Sequence, residues 1–597
     1  MQLHPHTFHI PVMGTGFSLD TALRVARYGI SSVISLVDDV IIENARKFHC
    51  EKNGLRFEAI ASGQPDVRAQ RITAYLNLVG DLVGVQFQAL KQSDFIEKSE
   101  ITRYFELLPK SPLKEAYLHM LTVNDADERA RLQDELRSRI VPGSIDVNIM
   151  TKLDADNYDN GIKLPPEYAD GMAALRGFAQ SNLSSAMVFS AGFNPRLYSY
   201  AATFDDFFHN EQGQCKKKLI IKVSDYRSAL IQGKFLAKRG LWVTEFRIES
   251  GLNCGGHAFA NECNLMGPVL EEFKQNRCKL NETLFKIYTK ALTDLGRPAP
   301  SQPPAIRITM QGGIGTTYED QFLRQYYNLD GTGWGTPFML VPEVTNVDQE
   351  HLDKIINAKH GDIFLSNCSP VGVPFWNLKT SASEESRRLR IQMGKPGSPC
   401  VKGYLMINTE FTEKPICISS RQYISKKLQQ LSKEGLPAEK EVLLREEVLT
   451  KSCICHDLGG TISRMQHGDE KAKPAVCCGP NVRYFDRTYS LEEMVGHIYG
   501  RICLSLRSER PHMLIDEIQL NLDFLRKEIR KFSFQISNRP QAYFETFKSA
   551  LLDGIDYYRD LAKQVFEEQR ERFLVDLKKL KDEIESTCLP QQLSEAG

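Results

Sequence analysis

The 597-residue chain has no net charge: Lys+Arg and Asp+Glu both number 75. With no basic field, it lacks the electrostatic footprint of a nucleic-acid binder or of a protein drawn to acidic membranes. It also lacks a run of roughly 18 uncharged apolar residues, the length a membrane helix needs. The opening Met1-Gln-Leu-His-Pro-His-Thr-Phe has neither the basic segment nor the apolar core of a signal peptide. Internal repeats and low-complexity tracts are missing too. Fourteen cysteines scattered over this length are too sparse for a disulfide frame, so reduced thiols or a metal site are expected. What these absences leave is a soluble, cytoplasmic chain of globular composition, 42% apolar and 25% charged. Its length suggests about two to four domains.

Short strands recur between helical stretches. Phe8 to Gly14 is the first and Ser31 to Leu36 the second, the latter nearly all apolar as a strand buried on both faces must be. Further strands are predicted at 146–150, 186–190, 218–223, 243–248 and 306–310, with a glycine-rich one ending at Gly335-Thr336. Eight strands alternating with helices over roughly 340 residues predict an α/β fold, a (β/α)8 TIM barrel with insertions. A doubly wound open sheet is the alternative, but Met13-Gly-Thr-Gly-Phe-Ser-Leu does not complete its Gly-x-Gly-x-x-Gly. The barrel would occupy 1–65 and 141–360. Residues 66–140, helical by periodicity, read as an inserted subdomain serving as a lid or an interface. A loop-rich, cysteine-bearing region follows at 361–510. A helical region at 511–597 carries an apolar stripe (Ile515, Ile518, Leu522, Leu525, then Phe544, Phe547, Leu551, Tyr558) that packs on the barrel or on a second copy in a homo-oligomer.

Barrel active sites lie at the carboxyl ends of the strands. There the chain places Gly14, Lys222, Glu249 leading to His257, Gln311-Gly312-Gly313 and Gly335-Thr336. Bare backbone at two strand ends, the first running into a helix N-terminus, suits a phosphate group; a tight turn is the plainer explanation. Lys222 emerges from Leu219-Ile-Ile as a cation at the mouth, able to hold an electron-rich ring edge or a carboxylate, or else to form an ordinary ion pair. Glycines 251, 255 and 256 bring His257 forward as a proton donor or acceptor.

Taken together, Pro11-Val-Met-Gly-Thr-Gly, Gly255-Gly-His, Gln311-Gly-Gly-Ile and Gly335-Thr resemble the flavin-mononucleotide barrels. The nearest group is that of nitronate monooxygenase / 2-nitropropane dioxygenase, and the chain is also similar to the trans-acting enoyl reductases of polyunsaturated fatty-acid synthesis. The resemblance implies an FMN-dependent oxidoreductase that exchanges a hydride between flavin N5 and a small organic substrate. By that likeness Gly312, Gly313, Gly335 and Thr336 would hold the flavin phosphate and Met13 and Gly14 would face the ring. Lys222 would lie at the ring edge and His257 would be catalytic. A reductase or NAD(P)H would donate electrons. Two other readings stay open: a lyase or isomerase acting on a phosphorylated metabolite, and a barrel scaffold working through its helical tail.

Cys453, Cys455, Cys477 and Cys478 place four thiols in one short segment, with Cys400 as an additional candidate ligand. Four thiolates suit an iron–sulfur cluster or, less well at this spacing, structural zinc. Buried or redox-active thiols are the alternative.

Overall fold

The computed structural model describes residues 4–590 apart from 65, 160, 191, 211, 256–264, 360, 505, 508–509 and 566–569. Eight strands close into a barrel: β1 (Phe8–Ile10), β2 (Ser31–Ser35), β3 (Ile145–Met150), β4 (Ser185–Ser190), β5 (Lys217–Val223), β6 (Val243–Glu249), β7 (Arg307–Gln311) and β8 (Gly331–Gly333). Every neighbouring pair is parallel and follows chain order, and β1 pairs with both β2 and β8. These are the strands that the apolar runs predicted, with two differences. β1 ends at Ile10, before a proline that cannot donate to a ladder, and Gly335 lies beyond β8, where Thr336–Leu340 turns as a short 3-10 helix.

Alternation along the strands sorts the side chains into two sets. Ile34, Val147, Phe189, Ile221, Phe246, Ile308 and Met310 point outward into the main core beneath the helices. The inward set holds a small apolar plug of Val33, Ala186, Val188 and Ile220, with Val12 against it. The rest of the inward set is polar: His9, Asp146, Asn148, Glu245, Arg247, Thr309 and Gln311 are all buried.

The segment between β2 and β3 is helical. Its first helix, Val67–Gln92, packs between Asp39–Lys52 and Asp170–Ala179 in the shell around the barrel, with Tyr75, Leu76 and Val79 fully buried. The helices Glu100–Leu107, Pro112–Thr122 and Ala126–Arg139 then lead back to the foot of β3. There Tyr104 Oη donates to Val141 O at 2.9 Å and Gly143 N to Ala26 O at 2.8 Å. Those contacts lie at the amino end of β3, while Arg68 at the start of the segment reaches Val37 O and Asp39 just past β2.

The mouth is instead covered by the chain beyond 360. The antiparallel ribbon β9 (Ile363–Ser366) and β10 (Phe375–Leu378) lays Trp376 over the loop after β6, its Nε1 donating to Gly251 O at 2.8 Å. Lys402 and Tyr404 reach Asp38, just past β2, at 2.9 and 3.0 Å. Among the described residues no helix is long and apolar enough to cross a membrane. The apolar stripe of the tail is consumed within the chain: Ile518, Leu522, Leu525, Phe544, Phe547, Leu551 and Tyr558 are all at 0% exposure.

Candidate active site at the barrel mouth

A column of polar side chains runs up the barrel interior. Near the foot, Glu245 pairs with Arg247 at 2.8 Å and Arg307 at 3.3 Å and accepts from Thr309 Oγ1 at 2.6 Å. Burial alone would raise the Glu245 carboxyl, but the two guanidinium groups hold it far below the carboxylate range. Above it, burial and the nearby Arg247 charge keep His9 well below its ordinary value and therefore neutral. Its Nε2 lies 3.4 Å from Gln311 Oε1.

At the top, three donors converge on one oxygen. Glu249 Oε1 receives Lys222 Nζ at 2.6 Å, Gln311 Nε2 at 3.1 Å and Asn253 Nδ2 at 2.5 Å. Strand register dictates this meeting, because Glu249 sits directly beside Gln311 and Lys222 beside Arg247. The Lys222 side chain is only 9% exposed, so its charge reaches the mouth already balanced by Glu249. The ordinary ion pair weighed from the sequence is therefore present, at the position where chemistry would occur. An ammonium and a carboxylate 2.6 Å apart can pass a proton between them or set the charge of a ligand above.

Glycines 312 and 313 follow Gln311 at φ +105° and +82°, a region nearly closed to other residues. A Cβ at Gly312 would lie 2.7 Å from Asn253 N, and one at Gly313 would lie 2.7 Å from Leu252 Cδ1. The loop after β6 thus packs tightly on this corner, as a turn would require. No hydrogen bond among the described residues uses the backbone N–H of Gly312, Gly313, Gly335 or Thr336. They are therefore without an acceptor among the described residues, as donors to an anion would be.

The helix terminus beside them is already occupied. The helix Thr317–Tyr326 is capped by its own Glu319, whose Oε2 accepts from Gly315 N at 2.9 Å and Thr316 N at 3.1 Å. Arg510 binds both Glu319 oxygens, at 2.9 and 2.8 Å. A carboxylate and its counter-ion thereby occupy the helix terminus that the sequence suggested for an anion. Thr336 Oγ1 accepts Gly479 N at 3.1 Å, which leaves the hydroxyl proton to donate.

Met13 is fully buried, with its Cγ 3.7 Å from where a Cβ on Gly335 would stand. Gly14 is at φ +53° and faces Cys477. His257 lies outside the described residues. The four thiols read from one segment divide between two places. Cys477 and Cys478 lie with Cys254 at the mouth, where burial pushes Cys254 and Cys478 up to about 12 and Cys477 well above its ordinary value, so they pack as neutral thiols. Cys453 and Cys455 face Cys400 and Cys417 elsewhere. Asp348, Glu350 and His351 also gather three ligand atoms within 4.8 Å. Arg464 and Lys354 already balance those carboxylates, and both nitrogens of His351 are engaged, by Asp348 and by Ala382 N.

The interior column went unread in the sequence, although its signal was there. In Val243-Thr-Glu-Phe-Arg-Ile-Glu249 charges stand at every second position, which on a strand puts all of them on one face.

No family model and no curated protein sequence matches the chain. The solved structures that match include the enoyl reductase domain of MlnA from the macrolactin biosynthesis cluster of Bacillus amyloliquefaciens, at 12% identity and a TM-score of 0.34. The match covers 70% of this chain and 88% of that one. A likeness this slight bears no weight for chemistry.

Proposed function

We propose that the chain is an FMN-dependent oxidoreductase acting on a small organic substrate, of the nitronate-oxidising or enoyl-reducing kind. The observation that carries the reading is a juxtaposition in β6 and β7. Glu249, paired with Gln311 across the strands, holds Lys222 at the mouth, and the two residues after Gln311 are glycines whose N–H groups meet no acceptor among the described residues. Those N–H groups, with Gly335 and Thr336, would hold the phosphate. Bound there, the flavin would supply hydride exchange at N5. Lys222 with Glu249 sets the charge beneath the ring edge, and Gln311 fixes the rotamer of Glu249. His257 is the proposed proton donor. Trp376 and the Cys477–Asn481 segment exclude water from above, and a reductase or NAD(P)H would supply electrons.

The test begins with the absorption spectrum of the purified protein and of the supernatant after heat release. A yellow protein that yields FMN supports the reading. A colourless, folded protein that takes up no added FMN sinks it and turns attention to a lyase or isomerase of a phosphorylated metabolite. Gly313→Ala should then lower flavin occupancy by roughly tenfold or more while circular dichroism stays native, because φ +82° costs an alanine roughly 1–2 kcal/mol and displaces the N–H. Full occupancy in that variant would place the phosphate elsewhere.

Lys222→Met should leave flavin content unchanged, since Glu249 keeps Gln311 and Asn253. Sulfite addition at flavin N5 creates an anion that a nearby cation stabilises. The variant should therefore bind sulfite about tenfold more weakly, the equivalent of ~1.4 kcal/mol. An unaltered sulfite titration would remove Lys222 from the ring edge.

A further inference from the structure

The ribbon β9–β10, whose Trp376 covers the loop after β6, also borders a cavity of about 610 Å³. Its other walls are the helices Ala438–Thr450 and Met513–Ser533. Among the described residues its lining includes none from a barrel strand or from the glycine corner, so this space is separate from the mouth. Small-molecule sites enclose about 300–1,000 Å³ and combine an apolar lining with a few polar groups. Here Phe364, Trp376 and Phe524 supply aromatic surface, and Ile363, Val373 and Leu520 supply aliphatic surface.

The charges around this lining do not balance. Lysine and arginine supply five of its residues, aspartate and glutamate three. Along one wall the charges cancel in a chain: Lys531 lies 2.6 Å from Glu447 and 3.5 Å from Glu528, and Arg539 lies 3.0 Å from Glu528. Arg483 leans on Asp516 at 3.6 Å, and Asp523 accepts from Gln519 Nε2 at 2.9 Å. Two lysines remain without a carboxylate among the described residues. Lys451 Nζ donates to two carbonyls, Asn367 O at 2.8 Å and Ser369 O at 3.1 Å, and an ammonium has a third N–H to give. Lys527 makes neither a side-chain hydrogen bond nor an ion pair with any described residue. A solvated face would carry lysines without aromatics, and a packing gap would carry aromatics without uncompensated charge. This cavity combines the two.

We propose that it binds a small aromatic organic acid, with the anionic group held by Lys451 and Lys527 and the ring set against Phe364, Trp376 and Phe524. Trp376 joins this site to the mouth: its N donates to Gly255 O at 3.2 Å and its Nε1 to Gly251 O at 2.8 Å. An occupant therefore rests on the residue that pins the loop after β6.

The probe is 1-anilinonaphthalene-8-sulfonate, an aromatic monoanion whose fluorescence rises on leaving water. The full chain should bind about one probe per chain. Lys527→Glu should weaken binding by roughly tenfold or more, while Lys527→Arg should stay within about threefold of wild type. Val373→Trp fills the cavity and should weaken binding as much as Lys527→Glu does, with native circular dichroism in every variant. Saturating FMN should leave the titration unchanged, because the mouth shares none of the residues that hold the probe. Absence of binding, displacement of the probe by FMN, or unchanged affinity in either Lys527→Glu or Val373→Trp overturns the proposal. Each of these outcomes reads the same whether or not the purified protein carries flavin.

Discussion

Arg510→Ala should lower stability by about 3–5 kcal/mol, the range for truncating one partner of a buried ion pair. The Arg510 and Glu319 side chains are 7% and 1% exposed. Removing the guanidinium would leave the carboxylate with backbone donors, Gly315 N, Thr316 N and Met513 N, and with no salt-bridge partner among the described residues. Arg510 also donates to Gly313 O at 3.1 Å, so it ties the chain beyond 360 to the glycine corner of the mouth. Thermal unfolding should fall by several degrees, and protease should cut the mouth-covering region sooner than the barrel. Glu319→Leu combined with Arg510→Leu should recover much of the loss, because no buried charge then remains unpaired. A single variant that melts with the wild type would show that the pair holds nothing in place. The flavin reading adds a second expectation, since loss of this tie loosens Gly313 and lowers flavin occupancy in parallel.

The barrel was legible from the sequence because each strand is buried on its outer face. Leu219-Ile-Ile and Ala186-Met-Val-Phe must sit against helices whatever the substrate, and apolar runs of that length admit little else. The function of the insertion and of the region beyond 360 was not legible. Periodicity identifies a helix but not what it packs on, so the sequence left 66–140 as a lid or an interface, and the structure places Val67–Gln92 between two helices of the shell. The cover over the mouth comes from single contacts such as Trp376 to Gly251, Gly479 to Thr336 and Arg510 to Glu319. These span 125, 143 and 191 positions of sequence and leave no local pattern. The cysteines show the same limit. Nearness in sequence grouped Cys453 and Cys455 with Cys477 and Cys478, while the fold brings them Cys400 and Cys417 from a loop that no periodicity describes. Glu319 was visible as three residues after Thr316, a capping-box spacing. Reading it would have shown that the helix terminus already had its anion.

Glu517→Gln should change how stability depends on pH, in a direction opposite to that of most carboxylates. Glu517, 4% exposed, sits where the helical tail meets the long helix Met266–Asp294. Its oxygens accept Met266 N at 3.0 Å and Tyr558 Oη at 3.1 Å. No cation pairs with it among the described residues, and burial pushes its carboxyl up to about 7 from 4.5. The folded state therefore keeps a proton that the unfolded chain gives up. Its contribution is full below about pH 4.5 and is lost as pH rises toward and through 7. Above that the folded chain carries a buried charge worth up to about 3 kcal/mol against it. Asp516, raised by burial to about 6, acts in the same sense and is left in place by the substitution. Glutamine can accept from Met266 N but cannot ionise, at the expense of reversing the hydrogen bond with Tyr558. The melting temperature of Glu517→Gln should accordingly match or fall slightly below wild type at pH 5 and exceed it at pH 8.5. The gap should open between pH 5 and 7.5. Parallel curves across that span would show that Glu517 is already ionised in the folded protein, and that the contact between tail and barrel helix is wet.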